Sequence, residues 1–155
     1  MPFIDLDKRF HEREGDISDY LRRCGYDPYV RRNVEVYRSI AAAENGVIAL
    51  SSGFMTYPYE VHPCYIESRA AIAESRGTFV LVPSFDFEAC VVEIVRRQIQ
   101  RPLGLLASNE EAKIRQRFSI YMALPATKVE TMRSPDETVM EILDALQSTG
   151  HRDEP

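Results

Sequence analysis

The chain has 155 residues, of which 45% are hydrophobic, so it is long enough to form one globular domain with a real core. Its formal net charge of −5 argues against a general nucleic-acid-binding protein. No apolar run approaches the roughly 20 residues that span a bilayer, and no secretory signal pattern is seen. The 3 cysteines are widely spaced, which favours a reducing compartment. We therefore expect a soluble, cytoplasmic protein that binds neither nucleic acid nor membrane.

Four short apolar runs predict β-strands, and a helical pattern follows each of them. The runs cover residues 2–5, 47–51, 78–82 and 128–131. Because strands and helices alternate, they predict a short parallel sheet between helices, a three-layer α/β/α fold. The first run ends in Asp5 and Asp7, two carboxylates one residue apart. The carboxyl edge of such a sheet is where ligands and metal ions bind.

Helix-start signals are clearest in the second half of the chain. Ser108 with Glu111 and Ser134 with Glu137 fit the capping box, and either Ser84 or Asp86 is placed to cap a helix over residues 87–99. A further helix is predicted from Pro28 to Glu44. Both capping boxes precede apolar residues at helical spacing that we expect in the core: Ile114, Phe118, Tyr121 and Met122, then Val139, Ile142, Leu143 and Leu146.

Several motifs occur in an order that resembles the shikimate kinase family, small ATP-dependent kinases of the nucleoside monophosphate kinase fold. Phe3 to Asp7, followed by Gly15, resembles the family's FxDxD strand end. The other matches are Arg101-Pro102-Leu103 to the RPL of its lid, Arg117 to Tyr121 to its RxxxY helix, Lys128 to Thr131 to its last strand, and Ser134 to Glu137 to its capped final helix. The resemblance implies a P-loop kinase-like domain over residues 1–148, a lid at about 98–110, and a disordered tail at 149–155.

The resemblance also implies roles for individual residues. Asp5 would lie near a magnesium ion, and Asp7 would bind the substrate hydroxyl that is phosphorylated and act as its base. Arg101 would be catalytic, stabilising the transferred phosphoryl group when the lid closes. Arg117 would bind a substrate carboxylate, for which a guanidinium is geometrically suited. The remaining implied contacts are Arg31 or Arg32, Ser52 and Gly53 to the substrate, and Arg96, Arg97, Arg101 and Arg133 to ATP.

Each of these residues also has a purely structural interpretation. Asp5 and Asp7 would then only cap the end of a strand, Arg117 would be a solvated helix arginine, and Arg101 an ordinary surface residue of the loop. The segment Ser51-Ser52-Gly53 departs from the family, which has three glycines there. The two added Cβ atoms lie where the backbone would approach the substrate, so a changed or lost substrate is an expected outcome.

The sequence contains no GxxxxGK[ST] motif, and so it encodes no phosphate loop, no phosphate-binding lysine and no hydroxyl for magnesium. In the resembled fold the strand order is 2-3-1-4-5, and the first strand, absent here, is the central one. Its loss would leave open apolar sheet edges. We therefore expect an amino-terminally truncated version of a longer protein, with the central strand supplied by an upstream segment or by a partner.

Three functions follow from these observations. The first is a shikimate kinase-like enzyme that uses ATP and Mg²⁺ to phosphorylate a hydroxyl of shikimate or a related small carboxylated substrate, inactive in the form given. The second is a non-catalytic ligand-binding or regulatory domain, a pseudokinase. The third is a folded remnant without activity.

Overall fold

The computed structural model describes residues 1–101 and 105–150, without the side chains of 149 and 150. Short strands alternate with longer helices along these residues. The elements are β1 (Phe3–Asp5), α1 (Leu6–Glu14), α2 (Ile17–Cys24), α3 (Tyr26–Ala43), β2 (Val47–Ala49), α4 (Tyr65–Glu74), β3 (Phe79–Val82), α5 (Phe87–Ile99), α6 (Ala107–Ala123), β4 (Thr127–Glu130) and α7 (Pro135–Gly150). Two 3₁₀ turns, Phe54–Thr56 and Tyr59–Val61, lie between β2 and α4. Pro102, Leu103 and Gly104 of the predicted lid, and residues 151–155 of the predicted tail, lie outside the described residues.

All four predicted strands are present, and they pair in parallel, as the alternation of strands and helices indicates. β1 pairs with β2, with Ile4 opposite Ile48, and β3 pairs with β4, with Leu81 opposite Val129. The described strands thus form two separate two-stranded sheets. The chain divides into two compact units, residues 1–70 and 71–155, and each contains one of the sheets.

The core of the first unit joins β1 and α1 to the long helix α3. Ile4, Leu6 and Phe10 are buried, and the buried face of α3 includes Val30, Val34, Val36 and Ile40. Burial of each such side chain contributes roughly 1.5–3 kcal/mol. Helix α1 follows β1 without a loop and ends at Gly15, whose φ of +88° lies in the left-handed region that favours glycine. This connection fixes the position of the residues that follow the strand.

The second unit is organised around β3 and β4, where Val80, Val82 and Val129 are buried. The Asp86 carboxylate accepts a hydrogen bond from the Ala89 amide at 2.8 Å, and α5 begins and ends where the sequence predicts. The capping box at α7 is confirmed. Ser134 Oγ accepts from the Glu137 amide at 3.3 Å, and the Glu137 carboxylate accepts from the Ser134 amide at 2.9 Å.

Two sequence predictions in this unit are wrong. Helix α6 begins at Ala107, so Ser108 lies inside its first turn, and Glu111 instead accepts a hydrogen bond from Arg115 at 2.8 Å. The apolar stripe of α7 is not in the core, since Val139, Leu143 and Leu146 are exposed. Ile142 and the stripe of α6 are only half-buried. Apolar residues at helical spacing predict a helix face that packs against another element. In the described part of the chain, the apolar face of α7 is instead exposed to solvent.

Among the described helices, none combines the length and the apolar character that crossing a membrane requires.

Candidate functional site

Two carboxylates lie at the junction of β1 and α1, as predicted, but their environments differ. Asp5 ends the strand and is half-buried, and its carboxylate accepts a hydrogen bond from the Lys8 amide at 3.1 Å. It is therefore the N-cap of α1. Asp7 lies in the first turn of that helix, is exposed, and accepts a hydrogen bond from Ser51 Oγ. The positive end of the helix dipole favours a negative charge at this position.

Asp7 is next to a cluster of buried polar side chains, which consists of Ser51, Asn33, Tyr29 and Tyr57. Ser51 is 4% exposed and Asn33 is fully buried. Asn33 Nδ2 donates to Ser51 Oγ at 2.9 Å and to the Tyr57 hydroxyl at 2.8 Å. Burial raises the pKa of the Tyr29 hydroxyl, and the negative charge of Asp7 raises that pKa further. Burial also raises the pKa of Tyr57.

The sequence analysis missed Asn33, Tyr29 and Tyr57. The available signal was an amide within the apolar face of a predicted helix, because Asn33 lies between Val30 and Val34 of that face. Buried polar groups are generally hydrogen-bonded, so an asparagine on such a face indicates a partner elsewhere in the fold. The partner's identity depends on tertiary contacts that no local pattern contains.

The structure brings the segment that starts at Ser51 to Asp7. Ser52 is exposed, whereas Gly53 is buried. The Gly53 carbonyl accepts hydrogen bonds from the Thr56 amide at 2.9 Å and from the Thr56 hydroxyl at 2.8 Å. Gly53 has a φ of −102°, which any residue adopts, so backbone strain does not require glycine here.

Arg31 and Arg32 are neighbours on α3 but have different partners. Arg32 Nη2 lies 2.7 Å from the Glu14 carboxylate and Nη1 lies 2.6 Å from the Glu35 carboxylate. Hydrogen bonds to Glu35 and then Glu14 raise the pKa of Arg32. Arg31 is exposed and makes no side-chain hydrogen bond or ion pair within the described residues. Arg31 is therefore the guanidinium of the pair that is open to a ligand.

The remaining predicted site residues belong to the second unit. Arg96 and Arg97 both bind the Glu93 carboxylate, at 2.7 Å and 2.6 Å, and lower the pKa of Glu93 to about 2. Arg97 Nη2 also donates to the Thr131 carbonyl at 3.3 Å. Arg133 Nη1 lies 2.8 Å from the Glu141 carboxylate. These three arginines, assigned to ATP from the sequence, are thus engaged with groups of their own unit.

Arg101 and Arg117 differ from those three. Arg101 lies two residues after the end of α5 and is exposed, and Arg117 is half-buried on α6. In the part of the chain that the structure describes, neither side chain has a hydrogen bond or an ion pair. Two guanidinium groups of the second unit are therefore available to anionic ligands.

The described residues do not fit a bound nucleoside triphosphate by themselves. The sequence lacks the glycine-rich phosphate motif, and three of the four arginines assigned to ATP already have partners. Within residues 1–101 and 105–150 no cluster of three histidine, cysteine or acidic side chains could hold a metal ion. Asp5 is a single carboxylate, which suffices only for a Mg²⁺ ion that takes its other ligands from water and phosphates.

Short parallel strands that alternate with helices define an α/β protein, and this arrangement is consistent with a P-loop kinase-like fold. A scan against protein-family models matches the shikimate kinase family over residues 1–147. The chain belongs to the shikimate kinase family. A comparison with curated proteins gave no match.

Proposed function

We propose that the chain binds shikimate or a closely related small carboxylated polyol at the end of β1, as the acceptor part of an ATP-dependent kinase. The observation that carries this proposal is Asp7. It is an exposed carboxylate in the first turn of α1, and a buried hydroxyl holds it in place. A carboxylate in this position is suited to accept a hydrogen bond from a substrate hydroxyl and, during phosphoryl transfer, its proton.

Charge recognition of the substrate is assigned to arginines without partners. Arg31 lies in the same unit as Asp7, and an open guanidinium binds a carboxylate through two parallel hydrogen bonds. Ser52 and Gly53, of the same unit, are proposed as contacts to the substrate ring, and the role of Arg117 as a carboxylate contact stays a prediction from the family resemblance. The pairing of Arg32 with Glu14 and Glu35 removes it from this set.

The role of ATP in the reaction is proposed from family membership. The cytoplasm is proposed as the location of the protein. ATP would supply the phosphoryl group, and Mg²⁺ would neutralise phosphate charge. Asp5 would be the one carboxylate near that ion, and Arg101 the lid residue that contacts the transferred group. Arg96, Arg97 and Arg133 are proposed as ATP contacts as well, although each already binds a carboxylate of its own unit. Phosphoryl transfer also needs a phosphate-binding element that these 155 residues do not encode.

The alternative function is a ligand-binding domain that does not transfer phosphate. The same observations support it, since Arg31 and Arg117 have no side-chain partner in the described residues and the sequence lacks the motif for ATP. The two functions differ only in what Mg-ATP does. A ³¹P NMR assay with shikimate and Mg-ATP separates them when the phosphate-binding element is supplied by an upstream segment or by a partner, because only the enzyme then yields a phosphate ester.

Isothermal titration calorimetry with shikimate tests the proposal. We expect the wild-type chain to bind, and Asp7→Asn to weaken binding by about 10-fold or more, because a hydrogen bond to a charged group is lost. Asp19→Asn is the matched control, since Asp19 also lies in the first turn of a helix, α2. Binding that Asp7→Asn leaves unchanged, or that Asp19→Asn weakens equally, would show that the site is elsewhere.

A further inference from the structure

We infer that Ser51 and Asn33 are positioning residues that hold the Asp7 carboxylate in a single orientation for its ligand. The identity of that ligand rests on the proposed function, whereas the orientation of Asp7 does not. The inference starts from a chain of three hydrogen-bonded side chains that come from different elements: Asp7 on α1, Ser51 after β2, and Asn33 on α3.

The direction of each hydrogen bond in this chain follows from the donors available. A carboxylate only accepts, so the single hydroxyl hydrogen of Ser51 points to Asp7. Ser51 Oγ can then only accept from Asn33, so the end of the Asn33 amide that faces it is the NH₂ group and not Oδ1. The second hydrogen of that group goes to the Tyr57 hydroxyl. The charge of Asp7 thereby determines which way the Asn33 amide faces.

This orientation leaves Asn33 Oδ1 buried without a hydrogen-bond partner in the described part of the chain. An unpaired buried oxygen destabilises a fold, and a leucine of similar size would avoid it. A leucine would, however, leave the Ser51 and Tyr57 hydroxyls without the hydrogen bonds that Asn33 donates, so these two bonds are what the asparagine contributes. Its donated hydrogen bond to Ser51, which in turn binds Asp7, gives it a role at the site.

The burial of the three residues supports the same role. Asp7 is exposed, whereas Ser51 is 4% exposed and Asn33 is fully buried, with Tyr57 beside it. Buried residues lose rotamer freedom, so they form a rigid support under an exposed acid. A carboxylate held in this way binds a hydroxyl without first losing its own rotational freedom, which favours tight and oriented binding.

NMR on the full chain tests the orientation without any ligand. Three-bond couplings that report χ1 of Asp7 should show one rotamer in the wild type and an average of rotamers in Ser51→Ala and Asn33→Leu. Ser39→Ala is the control, because Ser39 lies on α3, as Asn33 does, and its hydroxyl binds Arg13 rather than Asp7. Ser51→Thr keeps the hydroxyl and should retain the single rotamer. A single Asp7 rotamer that persists in Ser51→Ala would overturn the inference, and so would averaging in the wild type.

Shikimate titration then separates positioning from direct contact. We expect Ser51→Ala and Asn33→Leu each to weaken binding by about 3- to 10-fold in the wild-type background. Neither should have a further effect in the Asp7→Asn background, because both act through Asp7. Additive effects in the two backgrounds would contradict a positioning role. If Asp7 has one rotamer in the wild type, averages in Ser51→Ala, and shikimate does not bind, the proposed function fails while the positioning role stands.

Discussion

Asp5 and Asp7 are separated by one residue, but their carboxylates have different environments and different proposed roles. Asp5 caps α1 through the Lys8 amide, so removing it would affect the helix as well as any metal ion. Asp7 is exposed and bound by a side-chain hydroxyl, so it is available to a ligand. Two acidic residues at the end of a strand predict where a ligand binds. Which of the two carboxylates is exposed to that ligand depends on which one caps the helix.

Arg31 and Arg32 allow a test of this separation of roles. Arg31→Ala should weaken shikimate binding by about 10-fold and leave urea unfolding unchanged, because its side chain has no partner in the described residues. Arg32→Ala should lower the free energy of unfolding, since it leaves Glu14 and Glu35 without their guanidinium. Calorimetry and urea denaturation on both variants measure the two effects. The reverse pattern would assign the ligand contact to Arg32.

Helix α7 and helix α6 carry the same predicted start signal, and only one of them uses it. At α7 both hydrogen bonds of the capping box form between Ser134 and Glu137. At α6 the helix begins before Ser108, and Glu111 binds Arg115 one turn later. The residue types are equivalent in the two cases. The outcome is set by where the preceding segment enters the helix, which local sequence does not specify.

The two serines therefore form a matched pair for mutagenesis. Ser134→Ala should lower the free energy of unfolding by about 1 kcal/mol, the usual loss when an N-cap hydroxyl is removed. Ser108→Ala should change it by less than about 0.5 kcal/mol, because Ser108 is an exposed residue within the first turn. Urea denaturation followed by circular dichroism measures both. An equal loss in the two variants would mean that the cap of α7 is not stabilising.

The apolar stripe of α7 gives a second prediction at the level of the element. Leu143→Ala should lower the free energy of unfolding by less than about 1 kcal/mol, because Leu143 is 44% exposed. Ile40→Ala on α3 should lower it by about 2–5 kcal/mol, because Ile40 is fully buried and its removal creates a cavity. Chemical denaturation of both variants tests the difference. A loss at Leu143 as large as that at Ile40 would show that the stripe is covered in solution.

At the scale of the whole molecule, the sequence predicted the class of fold but not its packing. Strand positions and most helices follow from local periodicity, and parallel pairing follows from the alternation of strands with helices, so they were predictable. The place of Asp7 was predictable for the same reason. The support of Asp7 by Asn33 and Ser51 was not, because those residues come from separate elements and meet only in the folded chain. The exposure of the α7 stripe was not predictable either, since periodicity shows which face is apolar and not what covers it.

The carboxylates and the tyrosines with shifted pKa values lie in different units. Among the described groups of the second unit, three carboxylates have lowered pKa values: Glu88 through Arg115, Glu93 through Arg96 and Arg97, and Glu137 through Ser134. In the first unit, burial raises the pKa of the hydroxyls of Tyr29, Tyr37 and Tyr57. The two units should therefore respond to opposite ends of the pH range.

The sign of each response follows from linkage. A lowered carboxylate pKa contributes stability that is complete above the unfolded value of 4.5 and is lost as pH falls, for Glu93 towards about 2. A raised tyrosine pKa contributes stability that is complete below 10.0 and is lost as pH rises above it. We expect acid to loosen residues 71–155 first and alkali to loosen residues 1–70 first.

Limited proteolysis with mass spectrometry measures this order, using pepsin at pH 3 and subtilisin at pH 10.5. The first cuts should fall in the second unit under acid and in the first unit under alkali. Glu93→Gln should reduce the difference in stability between pH 5 and pH 3, because it removes a carboxylate whose pKa is lowered to about 2. Salt should also reduce that difference at Glu88, whose side chain is exposed and whose ion pair with Arg115 is screened. First cuts in the same unit at both pH values would contradict the assignment of the two responses.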